Sequence, residues 1–137
     1  MNYNRILIID KNRDTSQFYK QRLEDDGYSI DIADTLGKLI RLLEENLYTL
    51  VILDIDFLSL KEYYSLQNGF NDIEKIPLII NADASNLNNQ ASWFNQADAC
   101  IPKPSNISAL KERIKFVLDE FTTEFDNNNS KLIKEYF

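Results

Sequence analysis

Residues 5–14 read RILIIDKNRD: an apolar run, an aspartate at its end, and a lysine beside the aspartate. A short, continuous apolar run suits a strand covered on both faces, as in a parallel sheet, better than the alternating pattern of a half-exposed strand. Two further runs of this kind follow, TLVIL at 49–53 and PLII at 77–80. Strands buried on both faces require helices between them. The first run also poses a chemical question, because it delivers a carboxylate to the end of a buried strand and places an ammonium next to it.

The intervening segments supply the helices. After the first run, Asp14 and Gln17 of DTSQ fit a capping box, and Gly27 is placed to close the helix that follows. SIDIA at 29–33 alternates like a short strand. Leu36, Leu39, Ile40, Leu43 and Leu47 then share one helical face and are expected in the core. Residues 60–74 suggest a short helix and a turn at Asn68-Gly69. Residues 84–96 form a poorer helix through Leu87, Ala91 and Phe94, because asparagine is a weak helix former. A last strand at 99–101 precedes an amphipathic helix marked by Ile107, Leu110, Ile114, Val117, Leu118 and Phe121.

The order βαβαβαβαβα predicts an α/β fold: a doubly wound, flavodoxin-like, five-stranded parallel sheet of order 2-1-3-4-5 with helices on both faces. The 137 residues, 44% of them hydrophobic, suffice for one core. One domain is expected over residues 1–125. The polar tail, 126–137, reads as a linker stub or a short extra helix.

Composition removes several classes of function. The chain has no histidine and a single cysteine, Cys100, so the commonest general base, a Cys-rich zinc site and a disulfide framework are all missing. A net charge of -7 disfavours a nucleic-acid surface and favours a protein partner. Neither an apolar run long enough for a membrane span nor a signal-peptide pattern at MNYNR occurs, which places the chain in the cytosol. Only three glycines are present and none forms a phosphate-cradling loop, against a flavodoxin-like small-ligand or nucleotide protein. Nothing suggests an enzyme that turns over a diffusible substrate.

In a doubly wound sheet, ligands bind beyond the carboxyl ends of the strands where the winding reverses. With the order 2-1-3-4-5, Asp10 after the first strand and Asp54 at the end of VILD face each other at that point, and Lys103 arrives from the fifth strand. These residues, the stretch VILDID and the Lys103-Pro104 pair resemble the receiver domain of two-component response regulators (CheY-like), over residues 4 to about 122. The resemblance implies that Asp54 holds the phosphoacceptor position, that Lys103 pairs with the phosphoryl group, and that Asp10 is one of two acids that bind magnesium. The backbone carbonyl of Asp56 would be a third contact, and Asp56 completes the acidic pocket.

At several functional positions the chain departs from that pattern. The family carries two adjacent acids after its first strand, and here the second is Lys11. The lysine either pairs with Asp10 or Asp54 and fills the metal's place, or points to solvent and leaves a weak site of Asp10, Asp54 and Asp56. The hydroxyl position after the fourth strand falls at Asn81, or at Ala82 if the register shifts by one, and the aromatic switch position is Cys100. Without that hydroxyl and ring the usual two-state lever is missing. Of Trp93 and Phe94, one should pack inward and leave the other beside the fifth strand. Trp93, Asp98 and Arg113 are candidates for an interface, including a homodimer through the face made by the fourth helix, fifth strand and last helix. Tyr63, Tyr64 and Leu58 to Leu60 form a second contact patch or part of the core.

The chain therefore reads as a divergent member of the family, a pseudo-receiver. In this reading it is a protein-interaction module, with a sensor kinase or a downstream signalling protein as partner and no obligatory phosphorylation, cofactor, nucleic acid or membrane. The alternative is a working phosphoacceptor at Asp54, with magnesium weakly bound, as the N-terminal regulatory part of a transcriptional regulator.

Overall fold

A computed structural model of the chain describes residues 4–69, 76–83, 93, 96–103 and 106–119. The elements are β1 (Arg5–Ile9), α1 (Arg13–Asp25), β2 (Ser29–Ala33), α2 (Leu36–Glu45), β3 (Leu50–Asp54), α3 (Leu60–Gly69), β4 (Leu78–Asp83) and β5 (Ala99–Lys103). A further helix, here α4, covers residues 107–119. All strand pairs are parallel, in the order β2-β1-β3-β4-β5. The doubly wound sheet expected from the apolar runs is the one observed.

Its two faces follow from the pleat, which sends successive side chains to opposite sides. Leu7, Ile9, Val51, Leu53, Leu78 and Ile80 pack on one face with Leu39 of α2, Tyr63 of α3 and Trp93. Ile6, Ile8, Leu50, Ile52 and Ile79 pack on the other with Tyr19 and Leu23 of α1 and with Leu110, Ile114 and Val117 of α4. Every apolar residue of β1 and β3 is thus used, which is why those runs lack alternation. Among the described residues, no helix is long and apolar enough to cross a membrane.

Three local expectations are corrected. The N-cap of α1 is Asn12, whose Oδ1 accepts the Thr15 amide at 3.1 Å, and Asp14 lies in the first turn where a carboxylate faces the positive end of the helix. Gly27 does follow the helix end, with φ of 92° and its amide on the Glu24 carbonyl. In α2, Leu39 is buried, but Leu36 is 46% and Leu47 83% exposed. Asn46 ends that helix by bonding the Leu42 carbonyl through both its backbone amide and Nδ2, so Leu47 leaves the helical face and meets solvent. Third, α3 continues through Asn68 to Gly69, where a turn was expected. Residues 84–92, Phe94, Phe121 and the 126–137 tail lie outside the described residues.

Candidate functional site

The carboxyl edge of the sheet gathers three charged side chains from three strands. Asp10 follows β1, Asp54 ends β3 and Lys103 ends β5. The Lys103 Nζ donates to Asp54 Oδ2 at 2.6 Å and to Asp10 Oδ2 at 3.1 Å, so one ammonium is shared by two carboxylates. Both acids are buried. Their other oxygens are held by the backbone: Asp10 Oδ1 accepts the Asn12 amide and Asp54 Oδ1 the Asp56 amide, each at 2.9 Å. These are Asx-type turns, in which a short carboxylate bonds the amide two residues on and bends the chain out of the strand. The same turns fix both carboxylates in place.

The charges are tuned by this packing. Burial raises the Asp10 carboxyl above its ordinary value, against the lowering effects of the Asn12 amide and Lys103. Burial alone would lower the Lys103 ammonium, but the hydrogen bonds to Asp54 and Asp10 outweigh it and hold its pKa above the usual lysine range. The lysine is therefore a fixed cation at neutral pH. Around the three residues a cleft of about 670 Å³ opens along α1, lined also by Lys11, Asn12, Asp14, Thr15, Phe18, Tyr19, Asp56 and Phe57.

Lys11 does not fill the metal's place. Its ammonium lies over the Phe57 ring, 5.7 Å from the centroid, and the cation between the two carboxylates is Lys103. The pleat gives the reason: Asp10 continues the side of β1 facing α1, and the next residue turns to the opposite side, where Phe57 packs. Asn81 pairs in register with Asp54 and is buried, while Ala82 packs in the core of the other face. Cys100 also packs against that other face, away from the cleft, and burial raises its thiol pKa. Asp56 is exposed at the cleft wall.

Of the interface candidates, Trp93 is corrected: it is 2% exposed and packs edge-on against Tyr63 with centroids 5.4 Å apart. Tyr63 and Leu58 are core, Leu60 is partly buried, and Tyr64 is exposed. Asp98 and Arg113 are exposed, and Asp98 Oδ2 accepts the Leu78 amide at 2.8 Å. Two participants escaped the sequence reading, Asn12 and Phe57. The Asp-x-Asn spacing of residues 10–12 was a legible turn signal, whereas the seat for Lys11 depends on the chain leaving β3.

Whether these residues suit the magnesium ion implied by the resemblance is decided by the donor set. Magnesium requires hard oxygen ligands in near-octahedral array. The Oδ2 atoms of both buried acids already hold an ammonium, and the residue after Asp10 is a lysine rather than an oxygen donor. Among the described residues, no group of three or more His, Cys, Asp or Glu is arranged to hold a metal. The site as folded does not fit the ion.

No protein-family model matches the chain. It is, however, 31% identical to a response regulator receiver domain protein (CheY-like) from Methanospirillum hungatei JF-1, with a TM-score of 0.77 over 90% of this chain and 99% of that one. A receiver domain from Clostridium thermocellum shares the fold at 23% identity, with a TM-score of 0.73 over 88% of this chain and 98% of that one. The chain belongs to the receiver-domain family of response regulators, the CheY-like family of two-component signalling. Among curated proteins, the transcriptional regulatory protein CpxR of Escherichia coli K12 is 25% identical over 130 residues, which are 93% of this chain and 55% of that protein. A CpxR homolog of Haemophilus influenzae is 24% identical over 124 residues, 90% of this chain and 54% of that protein. The chain spans about half the length of the curated relatives it matches.

Proposed function

We propose that this chain is an atypical receiver that signals by binding another protein, a sensor kinase or a downstream component, without obligatory phosphorylation. The observation that carries this reading is the shared ammonium, with Lys103 on Asp54 at 2.6 Å and on Asp10 at 3.1 Å, together with Lys11 in the place of the second acid. Phosphoryl transfer to a carboxylate depends on charge neutralisation at the incoming phosphate. Here the neutralising charge is already built into the protein and is spent on the two acids. The reading needs no cofactor, no turnover of a diffusible substrate, no membrane and no nucleic acid. A homodimer through β5 and α4 belongs to the same proposal, with exposed Asp98, Arg113 and Phe116 on that side. The Asp98 carboxylate would then be shared with the Leu78 amide it already accepts.

One observation favours a second reading: the cleft opens directly onto Asp54 and Lys103, so a small phosphodonor has access to the acceptor position. In that case Asp54 accepts phosphate, and the similarity to 55% of the transcriptional regulatory protein CpxR supports a role as the N-terminal regulatory part of a transcriptional regulator. Intact mass after incubation with a small acyl phosphate and magnesium separates the two. An unchanged mass supports the interaction module. A gain of one phosphoryl group, absent in Asp54→Ala, establishes the phosphoacceptor.

A further inference from the structure

The mouth of the cleft is crossed by a contact that the acidic site does not require. Lys11, on the loop after β1, rests on the ring of Phe57, on the loop after β3. Its charge also reaches the start of α3. The Glu62 carboxyl there is held below its ordinary value first by the Ser59 amide and the Ser59 hydroxyl, and additionally by Lys11. Ser59 and Glu62 form a reciprocal cap, with Ser59 N on Glu62 Oε1 at 3.0 Å and Glu62 N on Ser59 Oγ at 3.1 Å. One cation thus joins the loop after β1 to the loop that leads into α3.

Further contacts lie beyond the start of α3. Phe57, Leu58, Tyr63 and Trp93 are buried in one apolar cluster, and Tyr63 meets Trp93 edge-on. Tyr64 OH accepts from Gln96 Nε2 at 3.0 Å, and the Trp93 carbonyl accepts the amides of Gln96 and Ala97. Asp98 then holds Leu78 at the start of β4 through both its backbone amide and its carboxylate.

We propose that Lys11 is a strap: by lying on Phe57 it ties the loop after β1 to the loop that leads into α3, and through Tyr63 it sets the packing of Trp93. Lys11 is a positioning residue in this device. The two arrangements are the lysine seated on the ring and the lysine lifted into solvent, and the second releases α3 from the β1 edge. The device stands in for the hydroxyl-and-ring lever that Asn81 and Cys100 do not supply, and it operates whether or not Asp54 accepts phosphate.

The chain has one tryptophan, so its fluorescence reports this packing directly. The experiment is acrylamide quenching of Trp93, with thermal unfolding in parallel, for the whole chain and for Lys11→Ala, Lys11→Arg, Tyr63→Leu and the Lys11→Ala/Tyr63→Leu double variant. An exposed cation–π contact of about 0.5–1 kcal/mol corresponds to an increase of about two- to five-fold in the open population. Lys11→Ala is expected to raise the quenching constant by that factor with little change in Tm. Lys11→Arg, which also seats a cation on a ring, restores it, and the double variant adds nothing to Tyr63→Leu. Unchanged quenching in Lys11→Ala, or failure of Lys11→Arg to restore it, overturns the proposal, as do additive effects in the double variant. If Tyr63→Leu does not fold, the alanine and arginine variants decide alone.

Discussion

Replacing Lys103 by methionine keeps the apolar stem and deletes the ammonium that Asp10 and Asp54 share. Their Oδ2 atoms contact one nitrogen, so they lie within about 6 Å of each other, and at an effective dielectric of about 20 two unit charges at that distance repel by about 3 kcal/mol. Removing one partner of a fully buried pair costs about 3–5 kcal/mol. Lys103 keeps 16% of its side chain exposed, so solvent screens part of this. Protonation of Asp10, whose pKa burial already raises, relieves more. The expected loss is about 2–3 kcal/mol, a fall in Tm of about 6–12 °C for a chain of this size.

The pH dependence has a definite sign. A carboxyl whose folded pKa lies above its unfolded value of 3.8 contributes stability that is complete below that value and is lost as pH rises through the folded one. Without the lysine, Asp10 moves further in that direction. The deficit of Lys103→Met is therefore largest near neutral pH and shrinks on acidification. Thermal unfolding followed by circular dichroism, at neutral pH and at about pH 4.5, measures both quantities. A variant within about 2 °C of the parent at neutral pH, or a deficit that fails to shrink in acid, would refute the shared-ammonium argument.

Two further outcomes follow from contacts outside the charged triad. Asn12→Ala removes the cap on Thr15 and leaves the backbone amide that holds Asp10, and should cost about 1 kcal/mol, read as a Tm lower by about 3–4 °C; no change would show that Asn12 is not the cap that matters. Tyr48 donates to Asp31 Oδ2 at 2.8 Å, and burial and that carboxylate raise its phenol above the ordinary tyrosine range. Ultraviolet titrations of the parent and Tyr48→Phe should therefore superimpose up to about pH 11 while the chain stays folded, and one extra phenolate in the parent would count against the contact.

The strand runs carried most of the fold because β1 and β3 are covered on both faces. Continuous apolarity is then a direct image of burial, and the alternation of their residues between the two cores needs no further signal. The charged triad was legible for a related reason: strand order alone brings the ends of β1, β3 and β5 to one edge. Lys11 was not legible. Adjacency to Asp10 suggested pairing, but consecutive residues at a strand end face opposite ways, and the ring that receives the ammonium comes from a loop more than forty positions along the sequence. Leu47 failed for a local reason, since the helical stripe was extended past Asn46, whose side chain closes the helix. Trp93 is a case where periodicity identifies a face and only tertiary packing decides which aromatic fills it.

The central claim, a site neutralised from within, is tested most directly by titrating magnesium into the protein calorimetrically and repeating the titration on Lys103→Met. The expected result is no saturable heat for the parent, because the ion has to displace the ammonium from both carboxylates, and a gain of binding in the variant that lacks that ammonium. Saturable binding of one magnesium per parent chain would contradict the claim and return Asp54 to the role of a metal-assisted phosphoacceptor.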